Sequence, residues 1–310
     1  MSPAAAPLLI AGPTAIGKSE LALILAQQLG GEIISVDSMQ VYRGLDIGTA
    51  KPPVAERDRV PHHLVDVLEL TESFDAAQFV QLAGAAVSAI QSRGRLPILC
   101  GGTGLYFKAF LAGLGQAPPA NPALRSELEA IPVPNLLQEL AERDPVTYEK
   151  IDRKNPRRVI RAIEVIRQTG KPFSQQRADW HSSTSSAQAT IMSLGLTRSR
   201  EDLRRRIDAR VEQMFARGLV EETAALLERG LAQNPTARQA LGYRQVIDYL
   251  QGVRSLPDTI QLVKIRTHQF AKRQLTWFKR QLHLTWLTIG PEQNAGSILP
   301  QIEKMRDSLR

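Results

Sequence analysis

Cysteine is almost absent from this sequence: Cys100 stands alone among 310 residues. No internal disulfide can form, and such a chain suits a reducing compartment, so a cytoplasmic location is expected. Long apolar runs are missing too. No stretch approaches the roughly 20 residues of a membrane-spanning helix, so no membrane association is expected. The opening residues, MSPAAAPLL, carry none of the basic charge that begins a secretory signal. Acidic residues are outnumbered, with 31 Asp and Glu against 39 Lys and Arg, for a net charge of +8. That excess leans towards a polyanionic partner, although its distribution must separate this from a merely solvated surface. What remains is ordinary for a globular protein. Hydrophobic residues make up 43%, and the length allows a large core and two domains.

The most informative stretch is Leu8 to Ser19, LLIAGPTAIGKS. Leu8-Leu9-Ile10 reads as a buried strand. Gly12, Thr14, Ala15, Ile16, Gly17, Lys18 and Ser19 fall in the phosphate-loop pattern G-x-x-x-x-G-K-[ST]. Glycines let the backbone curl so that successive amides face one anion. A helix starting near Lys18, with Leu21, Ala22, Leu25 and Leu29 at helical spacing, adds the positive end of its dipole. Lys18 supplies a mobile cation, and the Ser19 hydroxyl suits a magnesium ion bound to phosphates. The chain is expected to bind a diphosphate or triphosphate.

The following elements alternate between strand and helix. Ile33 to Val36 reads as a strand running into Asp37-Ser38-Met39-Gln40. Residues just past strand ends line the crevice of a parallel sheet, which sets Asp37 beside the phosphate loop as a general base, a metal-reaching carboxylate or a turn cap. Residues 43–63 read as a long loop. His62 and His63 are adjacent and have no third ligand at a recognisable spacing, so a structural role is expected rather than a metal site. His63 to Val67 reads as a short strand, and Asp75 starts an amphipathic helix closed by Gly94. Leu96 to Cys100 reads as a strand ending in GGTGLY. A nucleotide-driven motor would carry a magnesium-binding aspartate at such a strand end, and its place is taken by Cys100 and two glycines. Those glycines admit either a bulky ligand or a tight strand–helix turn, and Thr103 offers a hydroxyl.

Pro- and Gly-rich or Ser-rich breaks at 113–123 and 180–189 bracket a helical stretch. Helices are expected over Leu124 to Ile131, Leu136 to Arg143 and Pro156 to Gln168. The last has Asn155 as its cap, and Arg157, Arg158 and Arg161 face away from Val159, Ala162, Ile163 and Ile166. Strands are expected at Ile191 to Leu196 and Leu284 to Ile289. Between them, Ser199 to Ala216 reads as a helix with a Ser199…Asp202 capping pattern. Arg206 and Arg210 lie four apart on it, a spacing suited to clamping a diphosphate. In Lys264 to Leu282, Arg266, Phe270, Arg273, Trp277 and Arg280 fall near one helical side with Lys272 and Lys279 beside them. Cations alternating with rings suit looped RNA; core aromatics with solvated charges would look alike. The fold class is thus α/β, a parallel-sheet core with a mainly helical insertion. The core takes 1–120 and 189–310, and the insertion 121–188.

Three functions fit these parts: a transferase with a diphosphate leaving group that acts on RNA, a small-molecule kinase, and a nucleotide-sensing RNA-binding regulator. The kinase needs no extended arginine surface, and the regulator needs no carboxylate beside the phosphates.

Taken in order from about Leu8 to Trp286, GPTAIGKS, VDSMQVYRGLDIGTAKP, PHHLVD, GGTGLY, NPRRVIRAIEV and KRQLTWFKR closely resemble the tRNA dimethylallyltransferases, also called tRNA isopentenyltransferases. The resemblance implies a P-loop NTPase-like core with a helical insertion that contacts tRNA. It implies a cytoplasmic, nucleotide- or ATP-binding type of phosphate loop used for tRNA modification, with Mg2+ as cofactor. The implied reaction moves a dimethylallyl group from dimethylallyl diphosphate to N6 of the adenosine 3′-adjacent to the anticodon, in tRNAs reading codons that begin with U. The partners implied are the tRNA anticodon stem-loop and dimethylallyl diphosphate, and a monomer is expected. Gly12 and Thr14 to Ser19 match the diphosphate site, with Ser19 on the metal and either Arg206 or Arg210 as the diphosphate arginine. Asp37, Thr103 and Lys18 match catalytic positions. Asp37, Ser38, Met39, Gln40, Thr103, Arg125, Arg157, Arg158, Arg161, Arg238, Gly242, Tyr243, Arg244, Lys272, Arg273, Gln274, Trp277 and Lys279 match tRNA-contacting positions. Two positions depart from the family pattern: Arg157 replaces a common glutamine, and Ile16 replaces a small residue, removing a hydroxyl from the loop. An adenylate isopentenyltransferase is the nearest enzymatic rival, and it would not need the RNA-binding segments.

Overall fold

A computed structural model describes residues 6–178 and 191–307. The chain forms two compact units, one from Met1–Phe110 with Ser186–Arg310, the other from Leu111–Ser185. The Ser-rich break at 180–189 lies outside the described residues.

The first unit is built on six parallel strands: β1 (Leu8–Ala11), β2 (Gly31–Val36), β3 (His62–His63), β4 (Leu96–Gly101), β5 (Ser193–Thr197) and β6 (Thr285–Thr288), in the order β3-β2-β4-β1-β5-β6. Every residue of β1 and β2 is buried, as expected for a parallel sheet covered on both faces. Its helices are α1 (Lys18–Leu29), α2 (Val54–Arg59), α3 (Ala76–Ser92) and α4 (Gly104–Ala112). After the second unit come α9 (Arg200–Ala216), α10 (Leu219–Glu228), α11 (Tyr243–Leu250), α12 (Leu256–Gln281) and α13 (Leu299–Asp307). Leu21, Ala22 and Leu25 of α1 pack on Leu8, Ile10, Ile98, Cys100 and Leu194. The α9 residues Ile207 and Val211 pack on Val263 and Ala271 of α12.

The second unit holds α5 (Pro122–Glu129), α6 (Val133–Arg143), α7 (Pro145–Lys150) and α8 (Pro156–Thr169). Its separate core joins Leu128, Leu136, Leu140, Val159 and Ile163. Asn155 caps α8 with Pro156 in its first turn, as its sequence requires. Asp144 terminates α6 and caps α7 by accepting from Thr147.

Most local signals hold. Asp75 forms a capping box with Gln78 at the start of α3, and Ser199 accepts from the Asp202 amide at the start of α9. The strand expected at His63 to Val67 is a correction. It stops after His63, because Leu64 and Asp66 take left-handed backbone angles, φ 61° and 55°. The Asp66 carboxylate is held instead by Lys51 and Arg57. Helix α2 lies inside what reads as continuous loop, and Arg57 on it pairs with Asp66. No helix among the described residues is long and apolar enough to cross a membrane.

Truncation at the sheet centre should be costly. Ile10 is fully buried between β4 and β5, so Ile10→Ala is expected to lower unfolding free energy by about 2–5 kcal/mol. Urea denaturation of wild type and variant measures this, and a loss below about 1 kcal/mol would contradict the packing.

Candidate active site

Three strands end level with one another. Ala11 of β1 pairs with Gly101 of β4, and Gly101 pairs with Val36 of β2. The residues that follow are Gly12, Gly102 and Asp37. One level of the sheet therefore delivers the phosphate loop, the glycine-rich turn and the carboxylate together, where chain order reverses across the sheet.

The phosphate loop turns through Ala15 and Gly17, φ 62° and 107°. Gly17 is the residue before α1, and no side chain caps that helix, so its first amides suit an anion. Lys18 Nζ donates to the Pro13 carbonyl at 2.7 Å. Arg206 Nε donates to the Ala15 carbonyl at 2.9 Å. Arg198, the residue after β5, is buried and structural: it donates to Ile16 O and pairs with Asp202.

A cavity of about 690 Å3 is lined by Thr14, Lys18, Ser19, Asp37, Thr103 and Arg210, a volume suited to a small organic ligand. Further along its wall lie Arg244, Arg266, Phe270 and Arg273. A second cavity of about 450 Å3 is lined by Ala15, Ile16, Gly17, Arg206 and Arg217, and Lys18, Ser19 and Arg210 border both. Enclosure by protein pulls Lys18 down to about 8; Asp37 opposes this, and Arg210 adds to it. Burial also lowers Arg210, against the pull of Asp37. Cys100, at the end of β4, is pushed up to about 11 by burial, so the thiol is neutral. Lys18 and Arg210 outweigh the Asp37 carboxylate beside them, an excess of positive charge that a diphosphate would relieve.

Asp37 takes the turn-cap reading and also borders the cavity. Oδ1 accepts from the Met39 amide at 2.8 Å and the Gln40 amide at 3.3 Å, a turn cap, while the residue lines the cavity. The cap fixes the carboxylate beside Lys18 and Arg210. Thr103 Oγ1 accepts from the Ser38 amide at 3.2 Å. Gln40 is tied to Ser35, Thr49 and Ala50. Met39 and Ser38 line the cavity.

The segments matched to RNA contact divide into outward and inward residues. Arg238, Arg244, Lys272, Arg273 and Lys279 are exposed. Tyr243 is a correction: it is fully buried and presents no surface to RNA. Its hydroxyl donates to Glu222 at 2.6 Å and accepts from the Gly48 amide, and Glu222 also accepts from the Ile47 amide. Gly242 opens α11 with φ 95°. Gln274 is buried and bonded to two loops. The Trp277 ring lies against Gly104, where any side chain would overlap it. Gly102 and Gly104 thus make room for α12, Gly101 lies against the Val36 backbone, and Gly101 and Gly102 also line the cavity. In the second unit, Arg157 and Arg158 are exposed, whereas Arg125 and Arg161 both donate to the fully buried Glu164 at 2.7 Å. Arg161 is therefore held along the unit rather than projecting freely.

Sequence reasoning missed the 48–50 turn, which lines the cavity and is held from afar by Glu222 and Tyr243. No local signal marks it, since the partners are about 175–195 positions apart. His63 bonds to Glu32 and His62 to the Val60 carbonyl. Among the described residues no cluster of three or more His, Cys, Asp or Glu could hold a metal.

The fold and loop define a P-loop-type α/β protein with a helical second unit. The IPP transferase family model matches residues 40–281. The chain is 47% identical over 292 residues to tRNA dimethylallyltransferase 1 of Trichlorobacter lovleyi, covering 93% of this chain and 95% of the relative. It is 42% identical to tRNA dimethylallyltransferase of Pelotomaculum thermopropionicum, covering 97% and 96%. Among solved structures it is similar to the tRNA isopentenylpyrophosphate transferase of Bacillus halodurans, with TM-score 0.72, 39% identity and coverage of 98% and 96%. It is also similar to a eukaryotic dimethylallyltransferase solved acting on tRNA, with TM-score 0.77, 28% identity and coverage of 98% and 80%. The chain belongs to the IPP transferase family, that of the tRNA dimethylallyltransferases.

The Lys18 environment predicts a pH dependence. An anion raises the pKa of a neighbouring ammonium, so binding favours the protonated form and weakens as pH rises through about 8. Affinity for an alkyl diphosphate is expected to fall by up to about tenfold per pH unit above that point. Lys18→Arg, which stays charged, should abolish the slope. Calorimetric titrations of both proteins across this range measure it, and parallel profiles would refute the assignment.

Proposed function

We propose that this chain transfers a dimethylallyl group from dimethylallyl diphosphate to N6 of the adenosine 3′-adjacent to the anticodon, in tRNAs reading codons that begin with U. The products are N6-isopentenyladenosine and diphosphate. The observation that carries this reading is the cavity that holds Asp37 together with Lys18 and Arg210. It pairs a proton acceptor with cations for a leaving diphosphate. Membership of the family supplies the donor and acceptor classes.

The chemistry asks for both parts. The exocyclic N6 is a weak nucleophile because its lone pair is delocalised into the ring. It attacks C1 of the allyl group as the C1–O bond breaks, and the bonding electrons leave with the diphosphate. Lys18, the loop amides and Arg210 meet the charge that grows there; removing one such donor typically costs about 3 kcal/mol. Arg210 is the diphosphate arginine in this reading, because it borders both cavities near Lys18 and Asp37. Arg206 supports the loop from the Ala15 carbonyl. Asp37, held by its cap, takes the N6 proton. Thr103 fixes the Asp37–Ser38 turn through the Ser38 amide.

The donor set fits magnesium only jointly with substrate. Ser19 offers one hydroxyl beside Lys18, no acidic cluster competes among the described residues, and Mg2+ binds in such sites through few protein groups and phosphate oxygens. When bound, it supplies neutralising charge to the diphosphate.

The adenine must leave its stack, at a cost of a few kcal/mol. Arg244, Arg266, Phe270 and Arg273 along the cavity wall suit a flipped nucleotide and its phosphates. Arg125, Arg157, Arg158 and Arg161 of the second unit, with Arg238, Lys272 and Lys279, supply further tRNA phosphate contacts. The enzyme works as a monomer in the cytoplasm, a reducing compartment that suits a chain with one cysteine.

Purified protein, magnesium and labelled dimethylallyl diphosphate, mixed with unmodified tRNA or with AMP, test the proposal. Label is expected in tRNA alone. Asp37→Ala is expected to lower turnover by about 10²–10⁴-fold with tRNA affinity retained. Label in AMP alone would make the enzyme a small-molecule prenyltransferase, and near-normal turnover of Asp37→Ala would remove the base assignment.

A further inference from the structure

The side chain of Gln274 spans two loops that lie far from it in sequence. Its Oε1 accepts from the Thr14 amide of the phosphate loop at 2.9 Å, and its Nε2 donates to the Gly102 carbonyl at 2.9 Å. A carboxamide suits both, whereas a carboxylate has no donor for Gly102 and an ammonium has no acceptor for Thr14. The arrangement is built for it. Any side chain at position 102 would overlap Gln274 Nε2, and Gln274 is 9% exposed where it borders the cavity.

The face of α12 that carries Gln274 points inward. Ala271, Gln274 and Phe278, at helical spacing, are all buried, whereas Lys272, Arg273 and Lys279 are exposed. Residues that resemble one RNA-contacting segment therefore divide between two faces of one helix. The outer face carries the cations, and the inner face holds the loops.

We propose that Gln274 is a positioning residue that braces the phosphate loop against the glycine-rich turn, and so sets affinity for the donor diphosphate rather than contacting RNA. This rests on the donor and acceptor assigned under the proposed function. The physical argument is preorganisation. With the brace in place, Thr14 and the loop that follows are held before the diphosphate arrives. Without it, the Thr14 amide and the Gly102 carbonyl lose their partners, and the loop must be ordered by the ligand.

The test separates the two sides of the reaction. In the full chain, Gln274→Met keeps the volume and removes both hydrogen bonds. Gly102→Ala displaces the amide from the other side without altering its chemistry. Inorganic pyrophosphate affinity is measured without tRNA, tRNA affinity is measured without donor, and thermal melts confirm folding. Each variant is expected to weaken pyrophosphate binding by about five- to tenfold and to leave tRNA affinity within about twofold. The double variant is expected to lose no more than either single one, because both break one contact. Unchanged pyrophosphate affinity in folded Gln274→Met overturns the proposal, whether or not tRNA binding weakens, and so do additive losses in the double variant. Wild-type protein that fails to bind tRNA would overturn the function reading instead, while the pyrophosphate arm still decides the brace.

Discussion

Parallel pairing that holds Ala11, Gly101 and Val36 at one level is the constraint on which the rest of the site depends. Each strand ends there and hands over to a loop of different chemistry. Amides and a lysine follow β1, a glycine turn with a hydroxyl follows β4, and a carboxylate follows β2. A slip of one residue in any pair would turn its side chains to the opposite face. Fully buried strands make such slips expensive, since apolar side chains of β1 and β2 meet packed neighbours on both sides.

The second constraint is electrostatic. Lys18 and Arg210 border the same two cavities, with Arg206 of α9 bonded to the Ala15 carbonyl of the loop and the Asp37 carboxylate close enough to oppose their charge. Burying such cations is costly in the free protein, and burial is the main cause of the lowered Lys18, with Arg210 adding to it. It is reduced by local satisfaction: Lys18 donates to Pro13, and Arg206 to Ala15. These are neutral carbonyl partners, which a diphosphate outcompetes as an acceptor because charge-assisted hydrogen bonds are roughly twice as strong.

Acidic side chains do comparable work away from the centre. Glu222 gathers the Ile47 and Gly48 amides and the Tyr243 hydroxyl, holding the 48–50 turn at the cavity wall. Glu164, within the second unit, fixes Arg125, Arg161 and the Asn121 amide. Removing either acid would leave several groups unpaired at once, which is why each acts as the centre of a network rather than as half of a pair.

Much of this was legible from residue order alone. The phosphate loop, the caps at Asp75, Asn155 and Ser199, the strands at both ends of the core and the helical character of the middle segment all depend on neighbours within a few positions, where chain geometry already restricts the outcome. Asp37 beside the phosphate loop was legible too, because parallel sheets place their working residues just past the strand ends. Other features needed the folded chain. The strand after His63 ends early because Asp66 turns to Lys51 and Arg57. Gly102 and Gly104 accommodate Gln274 and Trp277 from a helix about 170 positions away. Tyr243 belongs to the interior although its neighbours read as RNA-facing. The sequence by itself determined which elements form and which chemistry sits at their ends, since those follow from local geometry. Only tertiary structure decided which side of each helix meets the loops, because a side chain's partner across the fold has no signature in the residues beside it.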